Sequence, residues 1–176
     1  VLEFSKNENR KPELNFQRFE IKNELNKIIT SLSPLLENKG NNLDYECIEG
    51  EGIFVESDLV KLHQLFYNII GNANKFTNDG VIKVKFSLKV KNADNLILNA
   101  EISDNGIGIN QADIGNIFDN YYQGLKLDNV SNIGVDLELS LCKEIIKLFE
   151  GNIEIKKKKN VGTIVSFYLI LKTAWW

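Results

Sequence analysis

Four residues between Ser57 and Thr77 could do chemistry together. Gln64, Asn68, Asn72 and Lys75 recur at i, i+4, i+8 and i+11, a spacing that sets all four on one face of a helix. Carboxamide oxygens one turn apart can ligate a hard cation such as Mg2+, and the lysine that follows can meet the phosphates such a cation bridges. The same spacing describes the solvated face of an amphipathic helix, and spacing alone does not choose between the two. His63, the single histidine, is expected away from this wall, beside Ile70, as a packed or surface residue.

A second candidate is "DNGIGI", Asp104 to Ile109, directly after a strand pattern. Gly106 and Gly108 let the backbone bend and approach a ligand, and a carboxylate at a strand end can accept a hydrogen bond from an exocyclic amine such as adenine's. A plain turn of this composition is the competing reading. A third is "NIGVDLELSLCK", Asn132 to Lys143, where Gly134 has the setting of a phosphate-cradling loop at a helix start. Asp136 and Glu138 put negative charge where the anion would dock.

The elements that must position these residues follow from periodicity. Leu59, Leu62, Phe66, Ile69, Ala73 and Phe76 step by three and four, which predicts a helix across Ser57 to Thr77. An earlier helix is predicted over "IKNELNKIITSLSPLLEN", with Leu25, Ile28, Ile29, Leu32, Leu35 and Leu36 inward despite Pro34. Strands are predicted at "FEIK", "LDYECI", "GIFVE" and "VIKVKFSLKV", the last alternating Ile82, Val84, Phe86, Leu88 and Val90 against lysines and a serine. "LILNAEISD" returns after a turn, and a long helix from about Val135 to Phe149 leads into a closing hairpin, "NIEIKK" and "GTIVSFYLIL". Gln111 to Ser131 reads as irregular, with one short helix at "ADIGNIF". The expected architecture is an α/β two-layer sandwich with an antiparallel-rich sheet.

Composition bounds the rest. The chain has 176 residues, 43% hydrophobic and 26% charged, the range of one domain with a full core. A net charge of −3 argues against nucleic acid or an anionic membrane as partner, since both reward excess Lys and Arg. Lys156 to Lys159 is a local exception that fits a solvated strand end. Cys47 and Cys142 make neither a disulfide framework nor a zinc spacing. No apolar run approaches the roughly 20 residues of a membrane-spanning helix. The lack of methionine suggests a segment of a longer protein.

Taken together, "LFYNIIGNANKFT", "ISDNGIGI", "IFDNYYQG", "LELSLCKEI" and "GTIVSFYL" resemble, in order and spacing, the ATP-binding catalytic domain of two-component sensor histidine kinases, whose Bergerat fold is shared with gyrase-type ATPases. The resemblance runs from about Arg18 to Lys172. Residues 1–17 are similar to the end of a dimerisation helix and its linker, and residues 173–176 form a tail. What the resemblance implies is ATP and Mg2+ as cofactors, Asn68 as a Mg2+ ligand with Asn72 beside it, and Lys75 on the phosphates. It further implies Asp104 reading the adenine amine, Gly106 and Gly108 shaping the base pocket, and Thr163 serving the adenine-side water network. Phe118 and Tyr122 would belong to the hinge of an ATP lid, and Gly134 to the phosphate loop. Gln64 stands where gyrase-type relatives place a glutamate base. Because a glutamine cannot take a proton, hydrolysis is not the expected task. Transfer of the γ-phosphoryl to a histidine of an adjacent helical dimerisation and phosphoacceptor domain is, with a response regulator receiver domain as downstream partner. The parent would be a homodimeric, membrane-anchored sensor with this part in the cytoplasm.

One departure stands out. Where the family carries G-x-G-L-G-L-S, this chain has Gly134-Val135-Asp136-Leu137-Glu138-Leu139-Ser140, and Asn160 replaces a common glycine before Val161-Gly162-Thr163. A carboxylate ~6 Å from a phosphate charge, at an effective dielectric near 20, costs roughly 2–3 kcal/mol. The expectation is therefore a kinase domain with weakened phosphate binding. The alternatives are a non-catalytic module acting through protein contacts and, opposed by Gln64, a gyrase-like or chaperone-like ATPase.

Overall fold

The computed structural model describes residues 13–46, 51–109, 133–158 and 161–174. The chain enters as β1 (Gln17–Glu20), α1 (Ile21–Glu37), β2 (Asn42–Glu46) and β3 (Phe54–Ser57), followed by α2 (Leu59–Lys75), β4 (Val81–Asn92) and β5 (Asn95–Asp104). Beyond them come α3 (Ile133–Leu148), β6 (Asn152–Lys157) and β7 (Thr163–Thr173). The strand order is β1-β3-β7-β5-β4-β2, and β6 pairs with β7. Among the described residues every pairing is antiparallel except β2 with β4. The connection from β2 to its neighbour β4 runs through β3 and α2, the kind of crossover a parallel pair requires.

The sheet is apolar on one face, and the helices cover that face. Ile82, Val84 and Phe86 of β4, Leu96, Leu98, Ala100 and Ile102 of β5, and Phe167, Leu169 and Leu171 of β7 form one core with Leu62, Phe66, Ile69 and Ile70 of α2. Phe66 meets the Phe86 ring edge-on at a centroid distance of 5.4 Å, seating α2 over the sheet's middle. The expected sandwich is the one found. Its detail departs at the edges: Val90 is 77% exposed, because the β4–β5 hairpin runs past the helical layer, and Leu35 is 39% exposed at the rim of α1. α1 continues through Pro34, which sits on the exposed side where the hydrogen bond it forgoes faces water. The short strand expected at "FEIK" ends at Glu20, and Ile21 already belongs to α1.

α2 is fixed at both ends. Asp58, buried at its N-cap, accepts from the Lys61 amide at 2.9 Å through Oδ1 and from the Asn15 amide at 2.9 Å through Oδ2. At the other end Lys39 donates to the carbonyls of Asn74 and Lys75, each at 2.9 Å, satisfying helix-terminal acceptors. Among the described residues no helix is long and apolar enough to cross a membrane.

Candidate functional site

The polar face of α2 is not a solvated face. Gln64 and Asn68 are half-buried, Asn72 is 9% exposed, and only Lys75 is fully open. α3 covers this side of the helix. Its Cys142 thiol forms a side-chain hydrogen bond with Asn68, and burial, opposed by that bond, pushes the thiol up to about 12, so it stays protonated. Asn68 is thus already engaged. Asn72, one turn on, is different: among the described residues neither its Oδ1 nor its Nδ2 has a partner. A buried polar group left unmade costs on the order of 1–3 kcal/mol, and such a cost is repaid when a ligand supplies the partner. The amide oxygen of Asn72 suits a hard cation, and the bond to Cys142, which lowers the thiol value, is donated by the Asn68 N–H and does not use the Asn68 oxygen. Lys75 lies at the mouth, its Nζ 5.8 Å above the centre of the Phe76 ring.

Phe76 joins this wall to the second candidate. The Ile107 amide donates to the Phe76 carbonyl at 3.1 Å, tying the loop after β5 to the end of α2. Gly106 makes the contact possible, since a Cβ there would stand 2.2 Å from the Phe76 oxygen and 2.7 Å from Thr77 Oγ1. That hydroxyl is itself buried, with no partner among the described residues. Asp104, 6% exposed, accepts through Oδ1 from the Gly106 amide at 2.9 Å and from the Thr163 amide at 3.3 Å. Burial raises its carboxyl above the ordinary aspartate value, and the two amides and the Lys158 charge pull the other way. The same strand end receives β7, where Gly162, at φ +107°, presses so close that a Cβ would be 2.1 Å from the Asp104 carbonyl. Gly108, at φ +75°, lies against Gly162. Phe76, Ile109 and Val165 pack with Leu139 of α3 and Ile155 of β6 into a small apolar cluster beside them.

Asn68, Asn72, Lys75, Asp104, Gly106, Gly108 and Thr163 are thereby gathered on α2, the β5 loop and the start of β7. Phe118 and Tyr122 lie outside the described residues, as does the short helix expected at "ADIGNIF". Gly134 falls within α3, which begins at Ile133 instead of near Val135. His63 is a correction: it does not lie apart from the wall but lines a groove of about 320 Å³ between α1 and α2 with Gln64, Tyr67 and Asn68. Residues 60, 63, 64 and 67 share one helical side, and Nε2 of His63 is 3.9 Å from Glu24 of α1.

Sequence reasoning missed the clamp under the site. Asn41 donates to Asn74 Oδ1 at 2.7 Å and to the Thr77 carbonyl at 2.8 Å, while its own oxygen accepts from the Gly80 amide at 2.9 Å. Asn105 accepts from the Val81 amide at 2.8 Å, holding the loop to β4. The available signal was an asparagine at each turn flanking a predicted helix end.

The family described as histidine kinase-, DNA gyrase B-, and HSP90-like ATPase matches residues 57–173. The autoinducer 2 sensor kinase/phosphatase LuxQ of Vibrio vulnificus is 31% identical over 176 residues, covering 96% of this chain and 20% of its own length. The chain thus spans about a fifth of the length of the curated relatives it matches. Among solved structures, the catalytic domain of the histidine kinase ThkA has a TM-score of 0.72 at 20% identity, over 88% of this chain and 95% of its own. Full-length ShkA in complex with AMPPNP also gives 0.72, at 21% identity, over 94% of this chain and 33% of its own. At these identities the likeness to the solved structures is one of fold.

Proposed function

The chain belongs to the histidine kinase-, DNA gyrase B- and HSP90-like ATPases and is the ATP-binding catalytic domain of a histidine kinase, and from that premise we propose that it holds Mg-ATP for transfer of the γ-phosphoryl to a histidine of an adjacent helical domain. The observation that carries this reading is Asp104. A buried carboxylate whose Oδ1 is fixed by two backbone amides leaves its remaining acceptor capacity for one oriented donor, and the adenine amino group is such a donor. Guanine presents an acceptor at that edge, and Asp104 would repel it.

The rest of the site positions and neutralises. Asn72 offers its unpaired oxygen to Mg2+, with Asn68 one turn away, and Lys75 at the mouth reaches the phosphates. Asn72 and Asn68 would hold the Mg2+, which would supply positive charge against the charge that develops in transfer. Gln64 carries no proton-accepting group, so it orients and does not activate water, which favours transfer to a protein acceptor over hydrolysis. The acceptor histidine would sit on the helical dimerisation and phosphoacceptor domain that precedes residue 18, in a homodimeric, membrane-anchored parent whose catalytic part is cytoplasmic. A response regulator receiver domain would take the phosphoryl next.

Calorimetry with ATP, GTP and adenosine tests the reading. ATP and adenosine should bind and GTP should not. Equal binding of GTP and ATP would show that Asp104 does not read the base. A second reading, a domain that binds partners without turnover, is favoured by one observation: α3 takes Gly134 into its first turn and carries Glu138 just beyond.

A further inference from the structure

α1, α2 and α3 all pack into the core on one side of the sheet, and among the described residues the opposite side is open. The pairing register sets the residues of that open face in rows that cross β4, β5, β7 and β6 in turn. One row reads Lys85, Glu101, Ser166, Glu154 and the next Ser87, Asn99, Tyr168, Asn152, and beyond them Ile97 lies beside Ile170. These two rows line a cup of about 490 Å³. Tyr168 on it is 39% exposed, while the Asn99 Nδ2 is buried with no partner among the described residues. Uncharged Asn99, Tyr168, Ile97 and Ile170 hold the middle of the face, with Lys85 on the β4 flank and Glu154 on the β6 flank. An uncharged centre with a charged rim is how a protein interface is built.

We propose that this face pairs with the same face of a second copy of the chain, about a two-fold axis that runs along the strands between β5 and β7. Such an axis exchanges the two flanks and keeps the height along the strands, so each row meets itself reversed. Ile97 then meets Ile170 of the second copy, Asn99 meets Tyr168, Glu101 meets Ser166 and Lys85 meets Glu154. The phenol oxygen accepts the hydrogen bond that Asn99 Nδ2 lacks, and the Ser166 hydroxyl donates to Glu101. Within one chain Lys85 is 3.2 Å from Glu46 and Glu154 is 2.8 Å from Lys156, so the pair between copies completes a run of alternating charge. The like-charged meeting is Lys83 against Lys156, and each keeps a carboxylate of its own chain, Asp44 at 3.1 Å and Glu154. Two equally twisted sheets related by this axis present matching surfaces, because the rotation carries the twist onto itself. Four strands about 4.8 Å apart and four rows about 7 Å apart make roughly 500 Å² on each copy, about 1,000 Å² in all, the lower end of specific interfaces. The pairing is therefore weak and reversible. Flanks of opposite sign match each other and no surface of a single sign, which selects a second copy over a uniformly charged partner. α2 faces away from the seam, so two catalytic domains stand back to back with both nucleotide walls open. The proposal goes beyond the nucleotide reading and does not depend on it.

The test is sedimentation equilibrium of the whole 176-residue chain, without nucleotide, from micromolar to millimolar concentration. The unaltered chain should pass from monomer to dimer within that range. Lys85→Glu sets two carboxylates against each other at both ends of the seam, and Glu154→Lys sets two lysines there, so each variant alone should associate at least about tenfold more weakly. An equimolar mixture of the two restores opposite charge at both ends. It should form a heterodimer at the concentrations where the unaltered chain dimerises. Each change moves the chain's net charge of −3 by two units, so both variants stay net negative and general attraction cannot join them. Rescue on mixing cannot come from misfolding either. An unaltered chain that stays monomeric to millimolar concentration would overturn the proposal. So would a dimer that both single variants form as well as the unaltered chain, or a mixture that associates no better than its components. None of these residues belongs to the nucleotide site, so failure here leaves the kinase reading standing.

Discussion

The two ends of the site are built on different principles. At the base end the side chains are held by backbone groups: Asp104 is pinned by the amides of Gly106 and Thr163, Asn105 by that of Val81, and Gly106 and Gly162 let chain segments touch where a Cβ would collide. At the cation end the contacts are side chains across a helix seam, with Asn68 on Cys142 and Asn72 on nothing. The first kind of construction tolerates almost no substitution. The second can be retuned by single residues, and α3, which borders it, carries Asp136 and Glu138 in its sequence.

Breaking the base end should have the largest effect. Asp104→Asn should lower adenosine and ATP affinity by about 10–100-fold, the scale of a hydrogen bond to a charged group, as measured by calorimetry. The same variant should not destabilise the fold. Because burial raises the folded carboxyl, Asp104 contributes stability below the unfolded aspartate value that is lost as pH rises through the folded one. At neutral pH Asp104→Asn should therefore melt no lower than the unaltered chain, and its advantage should fade as pH falls to the acid range. A large drop in melting temperature at pH 7 would mean that the carboxylate is held for structure and not for ligand. Gly106→Ala should cost about 1–3 kcal/mol in chemical denaturation, because its Cβ must push the Phe76 carbonyl away.

The cation end should yield more gently, and in the opposite direction. Replacing both Asp136 and Glu138 with glycine should tighten Mg-ATP at least about tenfold while leaving adenosine unchanged, at up to roughly 1 kcal/mol of helix stability per site. Equal Mg-ATP affinity in the two chains would show that the acidic pair does not limit the site. The smallest effect is expected where nothing reacts: in a Cys47→Ser background, Cys142, fully buried with its thiol pushed up to about 12, should resist alkylation at pH 8 until the chain unfolds.

What was legible in the sequence divides along the same line. The helix stripe of α2 and the alternation of β4 set the layers, because burial on one face leaves a period that local sequence carries. Asp104 and its glycines could be placed because a strand end followed by D-x-G-x-G has few other uses for its residues. That Asn72 would be unpaired and Asn68 engaged could not be read, since both occupy one helical face and the difference is made by Cys142, some seventy residues away in sequence. His63 was set apart from the wall for the same reason. Its company in the α1–α2 groove depends on where α1 lies, not on the spacing within α2.

Asn15 and Asp58 have a mechanical consequence. The segment leading into the domain is bonded by its backbone to the residue that caps α2, and Leu14 beside it is packed on the core. The lead-in is therefore a handle and not a tether. Torque applied to it arrives at the first turn of α2, and a helix of 17 residues clamped at its far end by Lys39 and Asn41 passes that torque along its length with little loss. Gln64, Asn68 and Asn72 ride on that shaft, so a small rotation of the lead-in changes their angle toward α3 together, as teeth on one gear.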